Sequence, residues 1–267
     1  MSDTSYTITV GTSDLRAALQ AVAPHAGNPK DGPTHRVRLL VSRTMIITTA
    51  TNRVTAAMAQ VDVENGTDLS TDDEIAVDIT PINAREIVTL FQSGADGDDD
   101  QPGDLLELRL GGGDLTITDT GGLFDGKSLT LPDYGAPEHF PDLPAIIKSA
   151  LERKSERTTS ISYNAKMLSL FAAASKAYDN APITIEPTSQ TTVTVVAVGE
   201  AFLGVIMPIK FDEDALITHK EHREAWHRRL ERITASPFTK IADTLRDAGV
   251  SNVTLVEPGG KRTSVDL

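Results

Sequence analysis

The sequence predicts an α+β fold assembled from one repeated module: a strand, a helix, then three strands, with antiparallel sheets and helices on one face. Three observations predict it. Alternating β-branched segments come in groups. After the first strand of each group stands a capped, helix-period segment. The whole order then recurs, with starts near residues 6, 74 and 159. What recurs is the order of elements rather than residue identity.

The first module opens on Tyr6-Thr7-Ile8-Thr9-Val10, whose alternation reads as a half-buried strand. Gly11 ends it, and Thr12 or Ser13 is placed to cap a helix through Val22. Leu15, Ala18, Leu19 and Val22 fall at i, i+3, i+4 and i+7 on one face of that helix. Pro24 to Pro33 reads as a loop, and strands follow at 37–41, 44–49 and 54–63.

The second module begins with a strand at 74–79. Thr80-Pro81 starts its helix, since proline at the first helical position gives up no hydrogen bond. An acidic loop, 96–104, precedes strands at 105–110, 114–118 and 127–131. The third module opens on a strand at 159–163, with Asn164 capping a helix through Phe171 and strands at 182–185, 192–197 and 201–207.

Between modules two and three, 144–154 reads as a helix. After module three, Leu216, Trp226, Leu230 and Ile233 mark one helix, and Phe238, Ile241, Ala242 and Leu245 another, stopped by Gly249. Short strands at 252–256 and 263–265 flank a turn at Pro258-Gly259-Gly260. The expected organisation is one complete domain over 1–143, a partial domain with a leading helix over 144–210, and a helical extension with a hairpin over 211–267 that completes the second domain in one arrangement.

The chain carries 267 residues, 38 acidic against 25 basic, for a net charge of −13. The imbalance lies in residues 1–143, with 23 acids against 9 bases; the remainder is nearly neutral. Such a chain contacts nucleic acid only by confining its cations to one surface. The absence of cysteine removes disulfides, thiolate nucleophiles and thiolate metal sites. No apolar run is long enough to span a membrane and the N-terminus has no signal pattern, so a cytoplasmic protein without membrane contact is expected.

Three stretches then resemble the bacterial replicative sliding clamp, the DNA polymerase III beta subunit. Thr48-Thr49-Ala50-Thr51-Asn52-Arg53-Val54 is similar to the family's T-A-T-D-x-x strand ending, with Asn52 where aspartate is usual. The run from Phe124 to Leu131, with His139-Phe140-Pro141-Asp142-Leu143-Pro144 after it, resembles the end of a clamp domain. Gly204-Val205-Ile206-Met207-Pro208-Ile209-Lys210 resembles the family's closing M-P-x-[RK] strand. The chain departs from the family in length: about half of a three-domain clamp is missing, and residues 211–267 continue where the family stops.

The resemblance implies DNA-clamp-like modules, with sheets outside and helices lining a ring. It implies a non-enzymatic processivity factor that holds double-stranded DNA without reading its sequence, works with a DNA polymerase or clamp loader, and forms a homo-oligomeric ring, trimer or dimer. Arg16, Arg85, Lys148, Arg153, Lys154, Lys166 and Lys176 lie on predicted helices or their ends and are the candidate DNA-facing residues. Val205, Ile206, Met207, Pro208 and Ile209 are the candidate pocket for partner peptides, which the tail would cover or reshape; methionine suits such adaptable surfaces. Each cation also reads as part of a solvated helix face, and the strand as an ordinary core strand.

Other signals are weaker. Asp96 to Glu107 approaches a calcium loop, but Gln101 stands where the turn glycine belongs and a strand follows. His222 and His227 are five residues apart and do not share a helical face. Lys220, Arg223, Arg228, Arg229 and Arg232 make the tail locally basic, as a solvated helix or a nucleic-acid contact. No phosphate loop, nucleophile elbow or defensible carboxylate pair is present, so no catalytic residue, metal or cofactor is expected. The alternative to a processivity factor is a clamp-fold interaction or regulatory protein that forms no ring on DNA.

Overall fold

The computed structural model describes residues 5–67, 69–70, 74–92, 104–122, 126–135, 140–154, 161–189, 191–234, 237–256, 260 and 262–266. The chain divides into two compact units, Met1–Lys210 and Phe211–Leu267.

The first unit holds the modules. Module one is β1 (Tyr6–Gly11), α1 (Thr12–Val22), β2 (Val37–Val41), β3 (Met45–Thr51) and β4 (Thr55–Asn65). Module two is β5 (Ile75–Ile79), α2 (Pro81–Leu90), β6 (Leu105–Gly111), β7 (Asp114–Asp119) and β8 (Ser128–Pro132). Helix α3 (Leu143–Leu151) follows. Module three supplies α4 (Ala165–Leu168), α5 (Phe171–Ala177), β9 (Ile183–Glu186), β10 (Thr194–Val198) and β11 (Phe202–Ile206).

Modules one and two exchange their first strands. β1 pairs antiparallel with β6, Tyr6 opposite Leu110 and Gly11 opposite Leu105. β5 pairs with β2, Val37 opposite Ile79 and Val41 opposite Ile75. The resulting order is β5-β2-β3-β4-β1-β6-β7-β8. β4 is long enough to serve two neighbours. Its start pairs with β11, Thr55 opposite Ile206 and Ala59 opposite Phe202, while its end meets β1, Asn65 opposite Thr9. Through β11 the sheet continues to β10 and β9.

The period-2 alternation of β4 sets the layers. Ala57, Ala59 and Val61 face the main core, which Leu15, Leu19 and Val22 of α1, Ala84 and Ile87 of α2, and Phe171 and Ala174 of α5 close. α1 packs between α2 and α5. Ala56 faces the other way, into a smaller core with Val195 and Val205 under Leu143, Ile147 and Ala150 of α3. α3 therefore covers the opposite face of the sheet from α1, α2, α4 and α5.

Each module closes on itself in a similar way. Val10 of β1 lies opposite Val63 at the end of β4. In module two the Tyr134 N–H donates to Asp78 O at 3.1 Å, and in module three the Ile209 N–H donates to Ser162 O at 2.7 Å. In all three, the first-strand segment is held by residues at or just past the last strand.

His25, fully buried, sits where modules one and three meet. Its Nδ1 is hydrogen-bonded to Thr55 Oγ1 at 3.0 Å, and its ring meets Phe171 edge-on at 4.6 Å between centroids, with Phe202 at 6.1 Å. Burial pushes its pKa down to about 3.

Several expectations are corrected. α1 is capped by Gly11 without a side chain, because Thr12 is buried as the first helical residue, its N–H donating to Asp104 O at 2.9 Å. The loop over 24–33 contains short 3-10 turns at Ala23–His25 and Pro29–Thr34. The helix expected from Asn164 breaks after α4 and resumes as α5, although Asn164 does cap it, accepting from the Lys166 and Met167 N–H groups. The strand expected at 159–163 is absent over Ile161–Tyr163; residues 159 and 160 lie outside the described residues. The physical reason is pairing: β1 and β5 form on strands of another module, and Ile161–Tyr163 has no such strand beside it among the described residues.

The second unit holds α6 (Glu213–Thr234), α7 (Pro237–Asp247) and the hairpin β12 (Asn252–Val256) with β13 (Arg262–Asp266). α7 ends as glycine-stopped helices do, with Gly249 at φ 80° and its N–H donating to Arg246 O. On α6, His227 and Glu231 approach to 3.1 Å, and the Arg229 guanidinium lies 5.2 Å from the Trp226 ring centroid.

Candidate nucleic-acid interface and partner groove

In the helix layer of the first unit, cations outnumber carboxylates. α1, α2, α4 and α5 carry Arg16, Arg85, Lys166 and Lys176 against Asp14 and Glu86. Arg85, Lys166 and Lys176 are exposed. Arg16 is half-buried, and its Nε–H donates to Val88 O at 3.3 Å, which ties α1 to α2.

The structure divides the seven sequence-derived cations between two faces. Lys148 lies on α3, and Arg153 and Lys154 follow it, so these three stand with the helix that covers the other side of the sheet. An amphipathic helix reads the same in sequence whichever face of a sheet it covers. Of the seven, Arg16, Arg85, Lys166 and Lys176 share the α1–α2–α4–α5 layer, and Lys148, Arg153 and Lys154 do not.

The M-P-I-K stretch splits likewise. Val205 is buried beneath α3 and Ile206 in the main core, so neither is open to a partner. Met207 and Ile209 are 41% and 42% exposed, and Pro208 is half-buried. The Met207 N–H donates to Val54 O at 2.9 Å, which brings the T-A-T-N stretch against the M-P stretch. That turn is built by Asn52, whose Oδ1 accepts from the Val54 and Thr55 N–H groups at 3.0 and 2.8 Å. Arg53 takes φ 72° there, a conformation costly for a side-chain-bearing residue. An aspartate at position 52 would accept the same two bonds.

Beside Met207 runs a cleft of about 590 Å³ lined by Asp142, Ala145, Ile146, Arg153, Val193 and Met207. Ile146 is 42% exposed and Val54 39%; Ile146 lines the cleft with Met207, Val54 is bonded to Met207 through the backbone, and exposed Ile209 follows Met207 by two residues. Sequence reasoning missed Val54 and Ile146, because the pairing of β4 with β11 brings Val54 to Met207 and the packing of α3 on those strands brings Ile146 there.

A second, polar cleft of about 380 Å³ lies where β1 and β11 diverge along β4, lined by Asp14, Asp62, Tyr178 and Glu200 among others. Burial, and secondly the Asp14 carboxylate, push the Tyr178 hydroxyl up to about 12. Among the described residues no group of three or more His, Asp or Glu is placed to hold a metal ion. Most of the calcium-like loop lies outside the described residues. No helix among them is long and apolar enough to cross a membrane.

No protein-family profile matches the chain, and no curated protein matches it in sequence. Solved structures do. The DNA polymerase sliding clamp of Pseudomonas aeruginosa matches 77% of this chain at TM-score 0.53 and 12% identity. The Bacillus subtilis sliding clamp matches 78% at 0.51 and 15%, and the Borrelia burgdorferi DNA polymerase III subunit beta 79% at 0.51 and 12%. The fold is that of the DNA polymerase sliding clamp. The match spans 65% to 66% of those clamps' own length, just under two thirds. The clamp fold accounts for the alternating layers and the module exchange; at this identity it carries no residue's role with it.

Proposed function

We propose that the chain is a clamp-type processivity factor, non-enzymatic, whose helix layer contacts or encircles duplex DNA without sequence preference. Its partner groove around Val54, Ile146, Met207 and Ile209 tethers a replication protein such as a polymerase or clamp loader, and the setting is the cytoplasm. The observation that carries the reading is a layer of adjoining helices with four cations against two carboxylates in a chain of net charge −13. Long basic side chains over phosphates give salt-sensitive, mobile attachment, and acidic surfaces elsewhere disfavour DNA.

A second reading, a clamp-fold interaction protein that never surrounds DNA, is favoured by the small number of exposed cations, Arg85, Lys166 and Lys176.

Binding to a linear duplex across a salt series separates protein that ignores DNA from protein that holds it. Blocking both duplex ends with bulky groups then separates threading from side-on contact. The processivity reading expects affinity that falls steeply with salt and is lost when the ends are blocked. Binding indifferent to blocked ends supports the second reading, and no binding at low salt overturns the processivity reading and leaves the second standing.

A further inference from the structure

Module three is half of an exchange. In the complete domain each first strand leaves its own module: β1 lies on β6, and β5 lies on β2. β9 occupies in module three the place that β2 and β6 occupy in theirs, first of the three strands after the helix. Among the described residues β9 pairs with β10 alone. Ile161–Tyr163, where the first strand of the module belongs, forms no strand. Among the described residues both halves of an exchange are therefore present without a partner strand: a strand edge that receives, and a first-strand segment to give.

Burial measures what is missing. In β2, Val37, Leu39 and Val41 are buried. In β9 all four residues are exposed, with Ile183 at 39% and Ile185 at 42% on one face of the strand. Proteins ordinarily blunt an edge with charge, proline or cover; Pro182 and Pro187 bracket β9 and Glu186 ends it, which limits pairing to a short register, but Ile183 and Ile185 between them leave an apolar pair exposed on the strand.

We propose that a second copy of this chain completes the domain, the Ile161–Tyr163 segment of each copy lying along β9 of the other about a two-fold axis. Modules one and two show the arrangement within a single chain, and the reciprocal exchange lets one self-complementary contact satisfy both edges. The segment to be given is already held in place, since Ser162 O accepts the Ile209 N–H just past β11, as Asp78 O accepts Tyr134 N–H just past β8. The proposal stands on strand pairing and does not depend on DNA binding. It makes the chain associate in twos, as a dimer or a dimer of dimers, and excludes a three-chain ring.

The experiment uses the full chain. Sedimentation equilibrium gives a mass twice or four times that of the chain, and the double substitution I183K/I185K reduces it to the monomer with an unchanged circular dichroism spectrum, because both side chains are already exposed. The lack of cysteine allows a second test. Chains carrying T184C and chains carrying S162C, mixed and treated with a short thiol-reactive bifunctional linker, give a covalent dimer containing one of each. A monomeric or trimeric wild-type chain overturns the proposal. So does an oligomer indifferent to I183K/I185K, or cross-linking confined to a doubly substituted chain with itself, which would place this chain's own segment on its β9 edge.

Discussion

Arg38 of β2 grips Asp78 of β5 with both arms of its guanidinium, Nε–H to Oδ1 and Nη2–H to Oδ2, each at 2.9 Å. Asp78 is 1% exposed and Arg38 14%. The Phe140 ring lies 4.2 Å from the guanidinium carbon, and Asp78 also receives Tyr134 N–H on its carbonyl while its own N–H donates to Asp133 Oδ1. One aspartate thus fastens module one to module two and holds the segment after β8 against both.

Breaking that pair leaves a charge without its partner: the Asp78 carboxylate where water scarcely reaches, or the Arg38 guanidinium in a largely covered place. Asp78→Ala is expected to cost about 3 kcal/mol or more, whereas Arg38→Met with Asp78→Leu together cost much less, because a buried ion pair gains little over apolar replacements. Urea unfolding of Asp78→Ala, of Arg38→Met and of the double variant Arg38→Met with Asp78→Leu reads this directly. Single variants within about 0.5 kcal/mol of wild type would contradict it.

His25 makes the junction of modules one and three acid-sensitive. Its folded pKa of about 3 lies below the ordinary 6.5, so the unfolded chain binds the proton more readily. The contribution is fully present above pH 6.5 and declines as pH falls toward 3, by on the order of 5 kcal/mol at most. His25→Leu is expected to flatten the acid limb of a stability–pH curve while lowering the plateau through loss of the Thr55 bond. An acid limb unchanged in His25→Leu would assign the sensitivity to carboxylates instead.

Gly204 occupies a gap with no room for a methyl group. A Cβ there would stand 2.7 Å from Phe171 Cε1 and 2.8 Å from Ala56 O, in the β11–β4 ladder. Gly204→Ala is expected to destabilise the first unit by about 1–3 kcal/mol, since the backbone oxygen cannot move away as a side chain would. Gly32→Ala provides a contrast, because its φ of 62° makes it costly through conformation although nothing lies within 4 Å. Thermal unfolding monitored beside the Phe171 contact separates the two causes.

Much of this was readable along the chain because the signals are local. The alternation in Val37–Val41 and Asn252–Val256 coincides with β2 and β12 to the residue, and Thr80 accepts the Asn83 N–H as a cap before Pro81 should. What failed depended on distant partners. Ile161–Tyr163 alternates as well as β1 does, but a strand exists only beside another. α3 and α5 are both amphipathic, yet Ala56 and Ala57 sort them to opposite faces, and nothing in Lys148 or Lys176 records that choice. The buried fate of Val205 likewise follows from α3, far away in sequence.

That sorting supplies the most direct test of the DNA reading. Arg85, Lys166 and Lys176 and the set Lys148, Arg153 and Lys154 each remove three positive charges when changed to alanine, so long-range attraction to DNA falls equally. Only side chains that neutralise phosphates release condensed counterions, at a slope of about 0.9 per contact in the salt dependence. The helix-layer triple variant is expected to flatten the log–log salt slope for duplex binding by up to about 2.7, and the α3-side variant to leave the slope near wild type while shifting all affinities slightly. Arg16 is left in place because its bond to Val88 makes its loss a structural change. Equal slopes for the two variants would mean that neither face is the one DNA prefers, and a flatter slope for the α3 side alone would turn the molecule around.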